Sequence, residues 1–222
     1  MKSFFPERTG RVRPGYLVAA GAGVVQGEAV LIRREGAADI AAVRAVTGAA
    51  FARPDAGGPE AGGPEPAEVR LLDELRGSQA WQPELSLVAV AEDGEVVGHV
   101  LGTRAHVAEL PVIAIGPVSV RPGRQRAGVG SALMHTVLGA ADALGEPMAV
   151  LLGDPGYYRR FGFRLSSAYQ ITPPQAGWEP YFQVRELSGY RTGMTGTFRY
   201  AEPFDRVLLT TRWRRGPPGR SR

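Results

Sequence analysis

The run Gln125-Arg126-Ala127-Gly128-Val129-Gly130-Ser131 joins an apolar stretch to the strongest helical pattern in the chain. Glycine at 128 and 130 lets a backbone come close to a ligand. The first amides of a helix lack internal partners and carry the positive end of its dipole. Such amides in succession bind anions, and Arg121, Arg124 and Arg126 add positive charge. The chemistry this predicts is the holding of a phosphate or diphosphate. The spacing is neither that of a Walker A loop, which requires Gly-Lys-Ser/Thr after four spacers, nor that of the Rossmann fingerprint. A turn that only lets strand and helix pack has the same glycines, so the run alone leaves both readings open.

The elements that must position this run can be read from periodicity. Upstream, residues 112–120 form a strand pattern interrupted by Gly116-Pro117. Proline cannot donate to a ladder, so a bulge is expected there, splaying the strand from a neighbour. Downstream, residues 128–144 read as a helix with Leu133, Met134, Val137, Leu138, Ala141 and Leu144 in one stripe. Gly145 provides its stop.

Before this pair come a short strand at residues 30–33 and a helix capped by Asp39, with Ile40, Val43, Val46 and Ala50 at helical spacing. A second helix carries Val69, Leu72 and Leu75. A strand over 85–91 then turns at Asp93-Gly94, a two-residue hairpin signal, into a partner over 95–106. After the long helix come a strand over 148–152, a helical turn over 155–160, and strands over 163–165 and 182–187. The order is that of a mixed α/β sheet in one domain.

Length and composition bound the rest. A chain of 222 residues with 44% hydrophobic content suits one domain with tails. The formal charge of +4 is uneven: five arginines lie in 212–222, and residues 29–211 carry −3. Residues 1–28 have no clear period and are expected outside the core; residues 212–222 are expected as a basic flexible tail. Ala56-Gly57-Gly58-Pro59-Glu60 repeats directly as 61–65, a composition that cannot pack and is expected as a mobile surface loop. Nucleic acid is not an expected partner, since beyond Trp213 no aromatic residue interleaves the basic tail.

Zero cysteines exclude disulfides, thiolate ligands and a cysteine nucleophile, and fit a cytoplasmic protein. With only His99, His106 and His135 present, no metal site is expected. No stretch reaches the length a membrane-spanning helix needs, so no membrane partner is expected.

Two motifs together resemble those of the GNAT N-acetyltransferase superfamily, across roughly residues 30–206. Gln125-x-x-Gly128-x-Gly130 after an apolar strand is similar to its acetyl-CoA signature. Gly153-Asp154-Pro155-Gly156-Tyr157-Tyr158-Arg159-Arg160-Phe161-Gly162-Phe163 is similar to its aromatic-Tyr-x-x-x-Gly-Phe segment, in the form found in a bacterial subgroup of acetyltransferases. The resemblance implies a single GNAT-like domain over 29–211, with a mixed, mostly antiparallel sheet splayed at its centre and flanked by helices. It implies acetyl-CoA as acyl donor and an amine as acceptor; whether the chain is a homodimer stays open.

By the same resemblance, Val118, Ser119 and Val120 pair through their backbone with the pantetheine arm, a form of strand addition. Residues Gln125, Arg126, Ala127, Gly128, Val129, Gly130 and Ser131 hold the pyrophosphate. Asp154, Tyr157 and Phe161 border the cofactor, and Tyr158 stands near the thioester sulfur. A phenol, with a reference pKa of about 10, is protonated at neutral pH and suits a departing thiolate. Asp154 departs from the asparagine many members carry nearby and is a candidate cap for the short helix.

With no cysteine acyl-enzyme available, transfer is expected by direct attack in a ternary complex. No general base stands out: Asp73, Glu74, Glu109 and His99 are candidates by type only. That gap keeps a non-catalytic acyl-CoA-binding regulatory domain as the alternative. The acceptor pocket is expected between 38–77 and 166–200, where Trp81, Tyr169, Trp178, Tyr181 and Phe182 are available to line it or to pack the core.

Overall fold

The computed structural model describes residues 29–52 and 65–208. The 1–28 extension, the 212–222 tail and all but Glu65 of the 56–65 repeat lie outside the described residues.

The chain runs β1 (Val30–Arg34), α1 (Ile40–Phe51), α2 (Ala67–Arg76), β2 (Trp81–Ala91), β3 (Val96–Val107), β4 (Leu110–Val120) and α3 (Val129–Ala143). It continues with β5 (Met148–Leu152), a single turn α4 (Pro155–Tyr158), β6 (Arg164–Leu165), β7 (Ile171–Thr172), β8 (Phe182–Glu186), β9 (Gly196–Arg199) and α5 (Glu202–Leu208). One sheet has the order β1-β2-β3-β4-β5-β8-β6, with β9 pairing both the end of β3 and β7. Among the described residues only β4–β5 and β7–β9 are parallel. The expected mixed, mostly antiparallel sheet flanked by helices is therefore the observed architecture.

Strand alternation sends successive side chains to opposite faces. On one face Leu87, Val100 and Ile113 meet the stripe of α3, Leu133, Met134, Val137 and Leu138. On the other, Val88 and Leu101 meet Val43 and Val46 of α1 and Leu72 and Leu75 of α2. Further along that sheet, Val112, Met148, Val150 and Val184 pack with Tyr169, Trp178 and Phe198. Each large apolar side chain so buried contributes about 1.5–3 kcal/mol. Among the described residues no helix is long and apolar enough to cross a membrane.

Several elements differ from the sequence reading. The β2–β3 hairpin is not a two-residue turn. Ala91 N donates to Glu95 O, closing a loop over 92–94 with Gly94 at φ 86°. A left-handed glycine ending a three-residue loop is the next commonest hairpin solution. Strand β2 starts at Trp81, but its register to β3 is interrupted between Trp81 and Ser86. Pro83, which has no amide to give, lies in that gap.

Asp39 precedes α1 without making a side-chain cap. Its carboxylate turns back to accept from Arg33 Nη1 and Nη2 at 2.6 and 2.8 Å, and from Gly36 N at 2.8 Å. The Arg33 hydrogen bonds, opposed by burial and aided by the Gly36 amide, hold it at a pKa of about 2. Strands β7 and β9 and helix α5 have no counterpart in the sequence reading.

Candidate functional site

Strands β4 and β5 pair at only two positions, Ile113 with Ala149 and Ala114 with Val150. Beyond Ala114 they separate, while β3 stays paired with β4 through Val120. The register between β3 and β4 shifts opposite Gly116-Pro117, where β4 carries one residue more than its partner. The expected bulge is thus present, and the edge of β4 over 115–120 faces β5 without bonding to it. No strand pairs with it on that side, where Val120 O accepts only the Gln125 side chain, and an extended amide-bearing ligand requires such an edge.

The side chains of this segment are divided between the faces. Val118 and Val120 pack against the core under α3. Ser119 is fully buried on the other face, its hydroxyl 3.0 Å from that of Thr47 in α1. The side chains of all three are thus taken up by packing and by the Thr47 contact rather than directed into the opening.

The loop into α3 is shaped by its own contacts. Gln125 Nε2 donates to Val120 O at 3.1 Å, folding the loop over the strand end. Arg126 and Gly128 have φ of 65° and 91°, and Gly128 is the residue that caps α3. The first intrahelical bond is from Ala132 N to Gly128 O at 3.0 Å, so the amides of Val129, Gly130 and Ser131 precede the ladder. Val129 itself is core, 4% exposed, leaving only its amide for a ligand. Arg121 pairs with Glu95 at 2.9 Å.

The second motif meets this helix start. A Cβ at Gly130 would stand 3.0 Å from the Tyr157 hydroxyl, so that phenol overlies the first turn of α3. Tyr157 packs edge-on against Phe161, centroids 5.4 Å apart, and Phe161 is 2% exposed within the core. Asp154 caps the short turn, its Oδ1 accepting from Gly156 N at 2.8 Å.

Tyr158 is half-buried beside Gly153, at the end of β5 where the two strands have parted. Burial, together with the nearby Tyr157 and Asp154, pushes its phenol well above the ordinary value. The motif residues named from sequence thus converge: Tyr157 lies at the helix start, and Tyr158 lies beside the gap. Gly153, which the sequence reading left without a role, is the residue on which Tyr158 rests.

The base candidates fare differently. Asp73 is paired with Arg44 and Arg76, Glu74 with Arg206, and Glu109 with Arg199. His99 is fully buried. Its Nε2 lies 3.1 Å from Glu35 Oε2 and from Ser86 Oγ, and Nδ1 has no partner. A bare Nδ1 fits the neutral ring with Nε2–H donating to the carboxylate. Burial lowers the His99 pKa against the pull of Glu35.

Arg76 completes the cluster, Nε donating to Glu35 Oε1 at 2.9 Å, and Ser86 Oγ donates to Oε2. This buried network was invisible to sequence spacing. Its one available signal was His99, a histidine in the middle of an apolar strand. Of the aromatics considered for the acceptor pocket, Tyr169, Trp178 and Phe182 are core. Trp81 lies under Arg76, 5.8 Å from ring centroid to guanidinium carbon.

A splayed mixed sheet with a glycine-capped helix start at its opening has close parallels. Residues 32–166 match the model of the acetyltransferase (GNAT) domain, and the chain belongs to that family. Among individual relatives, the uncharacterized N-acetyltransferase YhbS of Escherichia coli K12 is 32% identical over 143 residues, covering 63% of this chain and 84% of the relative. The crystal structure of Escherichia coli YhbS in complex with CoA superposes with a TM-score of 0.70 at 27% identity, covering 80% of this chain and 93% of that one. A GNAT-family acetyltransferase from Brucella melitensis in complex with acetyl-CoA gives 0.63 at 33% identity, covering 80% and 99%.

Proposed function

We propose that the chain transfers an acetyl group from acetyl-CoA to an amine by direct attack in a ternary complex. The observation that carries this reading is the edge of β4 over 115–120, left open toward β5 and leading directly into the first turn of α3. The two crystallised relatives, with CoA and acetyl-CoA, support the same ligand here. In this reading the backbone of Val118, Ser119 and Val120 pairs with the pantetheine arm. Gln125, Arg126, Ala127, Gly128, Val129, Gly130 and Ser131 cradle the pyrophosphate, and Arg126 adds charge beside it. Asp154 sets the α4 turn, and Tyr157 borders the cradle with Phe161 behind it. The domain spans 29–211, and its absence of cysteine suits the cytoplasm.

The amine nitrogen adds to the thioester carbonyl carbon, the C–S bond breaks, and the nitrogen loses the proton that the sulfur gains. Tyr158 serves the sulfur. A thiol ionises near pKa 8.5, below the raised phenol, so outright transfer from Tyr158 is uphill. The phenol instead donates a hydrogen bond to the departing sulfur, while the proton itself comes from the acceptor nitrogen. With His99 sealed and the acids in ion pairs, the amine enters neutral or loses its proton through water.

Calorimetric titration with acetyl-CoA and CoA, followed by thiol release across an amine panel, tests the proposal. Binding of both and release with at least one amine is expected. No binding at millimolar ligand overturns it, and binding without release across the panel leaves the acyl-CoA-binding regulatory domain instead.

A further inference from the structure

Beside the α4 turn, where α3 meets the β8–β6 edge of the sheet, lies an open cavity of about 500 Å³ lined by Arg160, Arg164, Arg185, His135, Phe161 and Glu186, among others. Three guanidinium groups face one carboxylate. The partners of these arginines are mostly neutral. Arg160 Nε donates to Tyr157 O at 2.9 Å, with its guanidinium carbon 4.8 Å from the Tyr157 ring centroid. Arg185 Nη1 donates to Phe161 O at 2.6 Å. Arg164 lies 6.0 Å from the Tyr169 ring centroid, and Glu186 raises the pKa of the Tyr169 phenol while Arg164 lowers it. Carbonyls and rings fix the direction of a guanidinium without cancelling its charge. The cavity is therefore an oriented positive site with donors left over for an anion.

Its position identifies the anion. Tyr157 touches both places: its hydroxyl overlies Gly130 in the first turn of α3, and its ring supports Arg160. One phenol thus separates the diphosphate cradle from the cavity. A ligand with a diphosphate and a phosphate monoester on the same ribose spans such a pair. We propose that the cavity takes the 3′-phosphate of coenzyme A, with Arg160 and Arg164 as its principal donors and Arg185 closing the rear. This rests on the acetyl-CoA reading above. It goes beyond it by assigning a second anion subsite and making these arginines specificity-determining between CoA and its dephosphorylated form.

The test is calorimetry of the full chain with CoA and with 3′-dephospho-CoA, for wild type and for the Arg160→Gln/Arg164→Gln double variant. Arg185 is left intact because it ties β8 to the Phe161 carbonyl. Wild type is expected to bind CoA about tenfold more tightly than dephospho-CoA, the size of one charge-assisted hydrogen bond. The double variant is expected to bind both alike, with an unchanged melting temperature and unchanged affinity for dephospho-CoA. Inorganic phosphate is expected to weaken CoA binding in wild type more than dephospho-CoA binding, since both ligands meet it at the diphosphate cradle and CoA alone meets it in the cavity.

Equal affinities in wild type, or a preference that survives in the double variant, overturn the proposal. So does phosphate that binds the cavity of wild type alongside CoA, since the site then serves a free anion. Failure of either nucleotide to bind at all is a different result, and it removes the acetyl-CoA reading itself.

Discussion

The ring of Tyr158 crosses Gly153 so closely that its Cδ2 lies 2.8 Å from where a Cβ on residue 153 would stand. Gly153 cannot yield, because its amide donates to Tyr181 O and its carbonyl accepts from Gln183 Nε2, both at 2.9 Å. The parted end of β5 is thereby the seat of the phenol. A residue with any side chain at 153 displaces Tyr158 from the gap between β4 and β5.

Two variants separate the phenol's chemistry from its placement. Tyr158→Phe keeps the ring on Gly153 and removes the donor, so kcat is expected to fall about 100-fold with CoA affinity within twofold. Gly153→Ala keeps the donor and moves it, and is expected to lose kcat to a similar degree. Wild-type activity should show no alkaline loss from this phenol below pH 10, because the protonated form is the active one and its pKa is raised. Steady-state kinetics and calorimetry check this; unchanged turnover in Tyr158→Phe removes the residue from the mechanism.

Gly130 and Tyr157 give a rescue experiment. Alanine is ordinarily favoured over glycine inside a helix by about 1 kcal/mol, so Gly130→Ala should not lower the melting temperature through propensity. Its Cβ would meet the Tyr157 hydroxyl at 3.0 Å and the phenol must move off the helix start. CoA binding is expected to weaken several-fold. Adding Tyr157→Phe removes the clashing oxygen and should restore part of the loss. A double variant no better than Gly130→Ala shows that the clash is not the cause.

The site was legible where its signals were local. Gly116-Pro117 announces a ladder break by lacking an amide, and Gly128 announces a left-handed cap, φ 91°, by lacking a Cβ. Helix α3 starts and ends within a residue of its expected bounds, and its stripe is buried except for Leu144, which follows the last turn and is 51% exposed. Sheet order was not legible, because nothing in Phe182–Glu186 states that β8 will insert between β5 and β6. Glu35 after β1, Arg76 of α2, Ser86 of β2 and His99 of β3 lie far apart in the chain and meet only after the sheet forms. The anion cavity is similar: Arg160 sits inside a recognised motif, but Arg185 and His135 join it from β8 and α3. Strand β9 escaped notice because its four residues are anchored by pairing to β3 and β7 rather than by a pattern of their own.

Glu109 tests whether an exposed acid takes part in proton removal. Its side chain is 88% exposed and lies 3.1 Å from Arg199, a surface pair worth about 0–1 kcal/mol. Glu109→Gln is expected to leave both turnover and melting temperature unchanged. A fall in turnover that steepens at low pH would make it the base that the buried groups cannot be.

Glu35 sets the acid stability of the fold. Burial raises its pKa, but hydrogen bonds from His99 and Ser86 and the charge of Arg76 outweigh that and hold it at about 2, against an ordinary 4.5. A depressed carboxylate stabilises above its unfolded pKa, and that contribution is lost as pH falls from 4.5 toward 2. His99 acts in the same direction from higher pH. Its ring is held neutral, so the unfolded chain takes up a proton first as pH falls below 6.5. Glu35→Gln removes one of the two acids that Arg76 meets and is expected to cost about 1.5–3 kcal/mol at pH 7, where Arg76 keeps only Asp73, at 3.0 Å, as counter-charge. The same variant should lose stability less steeply than wild type between pH 4.5 and 2, with a residual slope from Asp39, whose carboxyl is also held at about 2. Urea unfolding at a series of pH values measures both effects. Parallel curves for the variant and wild type across that window would mean that the Glu35 carboxylate does not titrate as its contacts require.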